Sequence, residues 1–378
     1  MNYFFLYQTL KARALSEGAT HSSDKRALSF SSAEFHSSHS STHIGNCNLP
    51  FDAELSQQNA NKDFSYPIVH PNGEQPSDGC IILLHGLNER TWDKYLPWAY
   101  QLANYTNKTV LLFPIAYHMN RSPKAWCDPR KMHQYVKQRY AKSPDVEALS
   151  VANVALSERL TNRPERFFLS GFQAANDLIK LVSKIKSGHF SEIKKDAQVD
   201  FFAYSIGAFL SQIMMMAYGD NLLSRSKLFI FCGGSAFDDW QGVSKYIMDS
   251  VAFKRLKHYY KFDVDQSHSS SDINNKLNNT ALGESFRHMI SLDNLKRKGH
   301  IYSSSLKDRI AAVVLKNDTV VNADKVKQAM KGIRVEEWDF NYAYSHIMPF
   351  PLLSDKLINQ VNEAFDKLML RASLLFTT

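Results

Sequence analysis

The sequence predicts an α/β fold, with a mostly parallel sheet and helices on both of its faces. Short apolar runs of strand length recur along the chain and alternate with segments of helical period. The runs are almost continuously apolar, which is typical of parallel strands that are buried on both faces. We expect strands near residues 79–84, 109–113, 199–204, 227–232, 311–316 and 333–339. We expect helices near residues 92–106, 171–186, 206–218, 323–331 and 354–370.

One of the apolar runs leads directly into a serine. The run from Val199 to Tyr204 predicts a strand, Ser205 follows it, and apolar residues then recur at helical spacing. Ala203 and Gly207 stand two positions before and two positions after the serine. A strand and a helix that pack closely around one serine need small residues there, and the usual pattern is G-x-S-x-G. Alanine departs from this pattern but is still small, so we expect a sharp turn that exposes the serine hydroxyl.

Other predicted strands also end in polar residues. His85 follows the predicted strand near 79–84, and we expect this histidine to fix the conformation of its loop. Asp318 follows the predicted strand near 311–316. His346 stands in a loop after the sixth strand, 28 residues beyond Asp318, which leaves room for one helix and one strand. Ser205, Asp318 and His346 therefore occur in the order nucleophile, acid and histidine.

Taken in order, these segments resemble the α/β-hydrolase superfamily over residues 64–370. Residues 85–99, HGLNERTWDKYLPWA, carry a narrower resemblance to a family of bacterial α/β-hydrolase-like proteins that has no assigned substrate. The resemblance implies the α/β-hydrolase fold with an inserted cap. It supplies no substrate.

The resemblance also implies a role for each residue of a catalytic triad. Ser205 would be the nucleophile, His346 the base that takes its proton, and Asp318 the acid that orients the imidazole. The backbone N–H groups of Leu87 and Ile206 would form an oxyanion hole. A serine at the turn, rather than an aspartate, argues against a dehalogenase or an epoxide hydrolase.

The acid and the base each have alternatives in the sequence. Asp238 and Asp239 follow the strand near 227–232, where some members of the superfamily place the acid. His118 and His300 are alternatives for the base, although the first comes early in the chain and the second lies in a basic stretch.

The chain is predicted to form one catalytic domain with additions. Residues 1–63 are irregular in composition and predict an N-terminal extension, followed by the domain of residues 64–370. Two insertions, residues 117–166 and 235–308, separate core elements. We expect the second to be the cap, because it contains several aromatic residues followed by a polar run.

Composition excludes several classes of protein. The 378 residues are 44% hydrophobic, which is enough to bury a large core. The formal net charge is +8, but the basic residues are dispersed, and the short run at 296–298 is typical of a solvated face. No segment reaches the roughly 18 apolar residues of a membrane span, and the N-terminal apolar run is too short for a secretory signal. We expect a cytoplasmic protein without a nucleic-acid partner or a membrane span.

The sequence indicates neither a metal site nor a disulfide framework. The cysteines are scattered without paired spacing: Cys47, Cys80, Cys127 and Cys232. His36, His39 and His43 are close in sequence, but further ligands at suitable spacing are missing, so we interpret them as part of a polar loop. We expect no cofactor.

These observations favour a serine hydrolase with a small-molecule acyl substrate. It would cleave a carboxylic ester, or a thioester or amide, through an acyl-enzyme on Ser205. A non-catalytic binding protein that keeps the fold is one alternative, and a serine peptidase is another. Catalysis requires the Ser205 hydroxyl within hydrogen-bond reach of His346, and His346 within reach of Asp318. A binding protein could lack either contact.

Overall fold

A computed structural model describes residues 2–15, 28–38, 59–73, 75–264, 271–297, 304–352 and 357–378. Eight strands in this part of the chain form one sheet: β1 (Ser29–His36), β2 (Asp63–His70), β3 (Ser77–Leu84), β4 (Thr109–Leu112), β5 (Ile193–Tyr204), β6 (Leu228–Phe231), β7 (Ile310–Leu315) and β8 (Arg334–Trp338). All six predicted strands are confirmed.

The helices of the described residues are α1 (Tyr3–Leu15), α2 (Leu96–Thr106), α3 (Pro129–Lys142), α4 (Val154–Asn162), α5 (Arg166–Lys186), α6 (Ile206–Tyr218), α7 (Ser250–His258), α8 (Ser271–Asn278), α9 (Ala281–Ile290), α10 (Leu292–Arg297), α11 (Ser304–Lys307), α12 (Ala323–Ala329) and α13 (Ile358–Thr377). The five predicted helices are confirmed as α2, α5, α6, α12 and α13. None of the described helices is both long enough and apolar enough to cross a membrane.

The strand order is β1-β2-β4-β3-β5-β6-β7-β8. Strand β2 runs antiparallel to β1 and β4, and all other neighbours are parallel. With helices on both faces, this arrangement is the α/β-hydrolase fold, and the predicted fold class is confirmed. Since β5 lies in the middle of the sheet, the serine at its carboxyl end stands at the centre of one edge.

Successive side chains of the central strands enter opposite cores, as the pleat of a strand requires. Ile82 and Leu84 of β3 pack in one core with apolar residues of α5 and α6. Ile81 and Leu83 pack in the other core, with Trp98 of α2 and apolar residues of α13. Burial on both faces explains why these strands read as continuous apolar runs.

The N-terminal segment contributes two elements to the domain. Strand β1 pairs with β2 along its whole length, and Tyr3 of α1 packs on Phe365 of α13, with ring centroids 4.6 Å apart. The backbone N–H of Tyr3 also donates to the Asn362 side chain at 2.7 Å. Helix α1 and strand β1 therefore pack on the domain although they precede residue 64, where the predicted domain begins. Helix α13 continues past residue 370, where the predicted domain ends. Of the residues weighed in the sequence, His39, His43, Cys47 and His300 lie outside the described part of the chain.

The two insertions pack against each other. Arg139 of α3 makes a two-pronged contact with the Asp249 carboxylate, at 2.5 and 2.8 Å. The Asn153 side chain donates to the carbonyl of Ser244 at 2.9 Å. Of the two, the second insertion supplies wall residues to the cavity beside Ser205, among them Trp240 and Phe253.

A buried ion pair joins β1, the loop after β4, and α5. Arg121 and Asp177 have fully buried side chains, and the Nη2–Oδ2 distance is 2.8 Å. Arg121 also donates to the carbonyls of Pro114 and Asn61, at 3.1 and 2.9 Å. The Ser37 hydroxyl, just after β1, donates to the other Asp177 oxygen at 2.7 Å.

We predict that Arg121→Met lowers the free energy of unfolding by about 3–5 kcal/mol, because it leaves the Asp177 carboxylate buried without its cation. The double variant Arg121→Met with Asp177→Leu removes both charges and should lose less. Urea denaturation of the three proteins measures the difference. Equal losses in the single and double variants would show that the uncompensated charge is not the cause.

Candidate active site

Ser205 stands on a strained turn between β5 and α6. Its backbone dihedrals are φ 55° and ψ −117°, a region that residues other than glycine rarely adopt. The Ser205 N–H donates to the Phe231 carbonyl at the end of β6, at 3.2 Å. The turn presents the serine side chain at the carboxyl edge of the sheet, as the sequence predicts.

The turn needs a glycine two residues after the serine. A Cβ atom on Gly207 would lie 2.8 Å from both the Cβ and the carbonyl oxygen of Leu84 in β3. The Gly207 N–H donates to the His85 carbonyl at 3.2 Å. At the other small position, Ala203 is fully buried and lies beside Leu84 and Ile230 of the neighbouring strands, so its methyl group fits.

His346 connects the serine to an aspartate. The Ser205 Oγ atom lies 2.8 Å from Nε2 of His346, and Nδ1 of His346 lies 2.7 Å from Oδ2 of Asp318. Both the histidine and the aspartate side chains are almost fully buried. If Nδ1 carries the proton for the carboxylate, the Nε2 lone pair faces the serine hydroxyl, as proton abstraction requires. His346 is therefore within hydrogen-bond reach of both Ser205 and Asp318, the two residues that the sequence order places with it.

Asp318 is held in place by the turn that follows β7. Its Oδ1 atom accepts hydrogen bonds from the backbone N–H groups of Val320 and Val321, at 2.8 and 2.9 Å. The other oxygen remains directed at the histidine. The carboxylate therefore has a fixed orientation before any ligand binds.

The alternative acids and bases have other partners. Asp239 forms an ion pair with Lys325 at 3.3 Å, and the Asp238 carbonyl accepts from Lys257 at 2.7 Å. The Nδ1 atom of His118 hydrogen-bonds to the Ala116 carbonyl at 2.9 Å. The Ser205 hydroxyl meets His346, and His346 meets Asp318, so the geometry favours this pairing over the alternatives.

Two residues that the sequence analysis did not select hold the histidine loop. The Tyr204 hydroxyl donates to the His346 carbonyl, and its ring stacks on the imidazole with centroids 5.5 Å apart. Burial raises the pKa of Tyr204 well above its ordinary value, so the hydroxyl stays protonated and remains a donor. The ammonium group of Lys94 donates to the Ile347 carbonyl at 3.1 Å.

The same lysine connects the histidine loop to the loop after β3. Lys94 forms an ion pair with Glu89, and the Tyr95 hydroxyl donates to Glu89 at 2.9 Å. The Tyr95 oxygen in turn accepts from the Gly86 N–H at 2.9 Å. All four of these residues fall within the segment 85–99, which carries the narrower resemblance, but nothing in their spacing indicates these contacts.

Two backbone amides beside the serine are available to a ligand. In the described part of the chain, the N–H groups of Leu87 and Ile206 donate no hydrogen bond, whereas those of Gly86 and Gly207 are both engaged. Leu87 and Ile206 line the cavity that contains Ser205. These are the two donors that the resemblance implies for an oxyanion hole.

His85 is a structural part of this loop. Its Nε2 accepts from the Ile115 N–H at 2.9 Å, so its Nδ1 carries the proton that it shares with the Gly86 carbonyl at 2.8 Å. Burial lowers the pKa of His85 to about 4, so the ring is neutral at pH 7. The neutral ring joins the loops after β3 and β4 and thereby fixes the position of Leu87.

Ser205 opens into an apolar cavity of about 510 Å³, part of which is open to solvent. Its walls come from the start of α6, the turn after β7 and the insertion at 235–308. The largest apolar side chains on the walls are Leu87, Ile206, Phe209, Trp240, Ile247, Met248, Phe253 and Leu256. Such a surface fits an apolar group better than a charged one.

The chain belongs to the family described as "Family of unknown function (DUF6051)", whose model matches residues 3–377. No curated protein sequence matches the chain.

Several esterases are among the similar solved structures. A hyperthermophilic esterase from the archaeon Pyrobaculum calidifontis is 8% identical, with a TM-score of 0.47 over 100% of this chain and 90% of that one. A thermostable esterase from Pseudomonas putida is 10% identical, with a TM-score of 0.40 over 98% and 91% of the two chains. An arylesterase is 10% identical, with a TM-score of 0.41 over 97% and 90%.

Gly207→Ala should lower the free energy of unfolding by about 1–3 kcal/mol, because the added methyl group overlaps the backbone and side chain of Leu84. The matched control is Gly171→Ala in α5, where an added Cβ meets no atom within 4 Å. This control should gain about 0.5–1 kcal/mol from helix propensity. Urea denaturation compares the two variants, and similar effects would contradict the close approach of α6 to β3.

The low pKa of His85 predicts a pH dependence of stability. A histidine that is neutral in the fold binds more protons when unfolded, so stability is lost as the pH falls from about 6.5 towards about 4. Between pH 7 and pH 5 the loss from this residue is about 2 kcal/mol. In His85→Asn, the free energy of unfolding at pH 7 should be lower than in the wild type. Its fall between pH 7 and pH 5 should be smaller than the wild-type fall by about 2 kcal/mol. An unchanged fall, measured by urea denaturation at both pH values, would assign the effect to other groups.

Proposed function

We propose that the protein is a serine hydrolase that cleaves a carboxylic ester, or a thioester or amide, through an acyl-enzyme on Ser205. The observation that carries the proposal is the hydrogen-bonded chain from Ser205 through His346 to Asp318, with distances of 2.8 and 2.7 Å. A serine hydroxyl is a weak nucleophile until a base takes its proton, and this geometry supplies the base.

In the first half of the reaction, the Ser205 oxygen attacks the substrate carbonyl while Nε2 of His346 takes the hydroxyl proton. The Asp318 carboxylate stabilises the imidazolium through Nδ1. The negative charge on the former carbonyl oxygen is stabilised by the N–H groups of Leu87 and Ile206. The tetrahedral species then collapses, the imidazolium gives its proton to the leaving oxygen, and an alcohol departs from the acyl-enzyme.

In the second half, water attacks the acyl group on Ser205 and gives a proton to His346. Collapse of the second tetrahedral species returns that proton to the serine oxygen and releases the carboxylic acid. The net reaction consumes one water and requires no cofactor.

Two features support catalysis over a binding function. A binding protein has no need of a strained serine whose hydroxyl meets a buried histidine–aspartate pair, since such strain is retained where function requires it. The N–H groups of Leu87 and Ile206, which have no acceptor among the described residues, also match the needs of a tetrahedral oxyanion. The apolar cavity next to the serine supports an ester with an apolar group among the possible substrates.

We predict that Ser205→Ala abolishes turnover of 4-nitrophenyl acetate, butanoate and octanoate with little change in stability.

Asp318→Asn should lower kcat by about 10⁴-fold, because the amide no longer holds the histidine in the required tautomer. Asp239→Asn is the matched control, since that carboxylate is paired with Lys325, and it should keep the wild-type rate. If Asp239→Asn were the slow variant instead, the assignment of the acid would be wrong.

A further inference from the structure

A second apolar cavity lies next to the one that contains Ser205. It encloses about 560 Å³ of atom-free space between α5, α6 and α9, part of which is open to solvent, and we call it the chain pocket. Most of its walls are apolar side chains, and the largest of these are Phe167, Phe168, Phe172, Phe209 and Phe286. The mechanism proposed above makes no use of this pocket.

The walls of the chain pocket carry no charge that would bind an ionic group. Among the described residues that line it there is no aspartate, glutamate, lysine or arginine. His118 also lines the pocket, and burial lowers its pKa well below the ordinary value, so the ring is neutral. The Ser170 hydroxyl donates to the Phe167 carbonyl at 3.1 Å. Since each methylene group that leaves water for such walls favours binding by about fourfold, the pocket fits a hydrocarbon chain.

A glycine in the middle of α5 leaves one wall of the chain pocket open. Gly171 lines the pocket, and a Cβ atom at this position would meet no atom within 4 Å. By contrast, a Cβ atom on Gly207 of α6 or on Gly283 of α9 would overlap backbone atoms of a neighbouring element. A glycine inside a helix is destabilising relative to alanine, and close packing does not explain Gly171. Its effect on the structure is to leave room in the pocket.

The chain pocket adjoins the cavity that contains Ser205, which we call the serine cavity, along three residues. Leu87, Ile206 and Phe209 line both of them. The first two residues carry the proposed oxyanion donors. A carbonyl oxygen held by their N–H groups would therefore lie near the boundary of the two cavities. Each cavity is then available to one of the two groups on the carbonyl carbon.

The ring of Phe209 forms part of this boundary. Its centre lies 4.8 Å from that of Trp240, on the wall of the serine cavity. It lies 6.1 Å from that of Phe286, on the wall of the chain pocket. Phe209 follows Ser205 by one helical turn, and its N–H donates to the Ser205 carbonyl at 3.4 Å. A substrate chain that runs from Ser205 into the chain pocket would pass this ring.

We propose that the chain pocket binds a hydrocarbon chain of the substrate, which passes Phe209 while the ester carbonyl lies at Ser205. Gly171 keeps the pocket open for this chain. The inference rests on the proposed hydrolase function. The chain belongs either to the acyl part, as in an ester of octanoic acid, or to the alcohol part, as in an ester of 1-hexanol.

Two pairs of esters distinguish these sources. The acyl pair is 4-nitrophenyl acetate and 4-nitrophenyl octanoate, and the alcohol pair is ethyl butanoate and hexyl butanoate. In one pair, we expect the wild-type kcat/KM of the long ester to exceed that of the short ester by about tenfold or more, because several methylene groups leave water. Gly171→Leu places a branched side chain in the pocket and should bring the long-to-short ratio of that pair close to one.

Matched variants separate a filled pocket from a structural effect, which would lower the rates on long and short esters by the same factor. Ser183→Leu adds the same side chain at an exposed position of α5 and should keep the wild-type ratio. Gly171→Ala fills little of the space and should keep most of the ratio. Leu282→Phe narrows the pocket from α9 and replaces Gly171→Leu if that variant does not fold. Wild-type ratios near one in both pairs, or ratios that the filling variant leaves unchanged, would overturn the proposal.

A binding experiment keeps this proposal distinct from the proposed reaction. Octanamide and 1-hexanol are added to the Ser205→Ala protein, with acetamide and ethanol as short-chain controls, and the shift in Tm is measured with and without Gly171→Leu. A Tm increase that requires the long chain and is lost in Gly171→Leu supports the pocket even if none of the four esters is hydrolysed, which would contradict only the hydrolase function. Hydrolysis of the esters with no chain-length preference, and with no such shift in Tm, would contradict only the pocket.

Discussion

The close approach of α6 to the end of β3 is the contact on which the rest of the site depends. Gly207 has no Cβ, so the first turn of the helix lies against Leu84, where any side chain would overlap it. This contact forces Ser205 into its rare backbone conformation, and the Ile206 N–H that follows finds no acceptor in the part of the chain that the structure describes. The strain is therefore localised at one residue, and the buried strands on either side of β5 keep it from relaxing.

The loops that complete the site hold one another in place. Tyr204, next to the serine, anchors the histidine loop through a hydrogen bond and a stacked ring, and Lys94 binds the following carbonyl. Lys94 also pairs with Glu89, so the loop after β3 and the histidine loop share one network.

The sequence was informative where the fold imposes a strong local pattern. Strands buried on both faces appear as apolar runs, and the order of Ser205, Asp318 and His346 follows from the topology. Strands β1 and β2 were missed because they lie towards one edge of the sheet and mix buried with exposed residues. Helix α3 was missed because its residues are mostly polar. The choice of Asp318 over Asp238 and the contacts of Tyr204 with His346 depend on how loops pack, which no local pattern records.

Reaction with a fluorophosphonate probe shows whether His346 activates Ser205. The probe reacts with an activated serine, and mass spectrometry of the digested protein identifies the labelled residue. We expect one added group per folded chain, on the peptide that contains Ser205, and no labelling of Ser205→Ala. If folded wild-type protein gained no label, or carried it on another serine, Ser205 would not be the activated nucleophile.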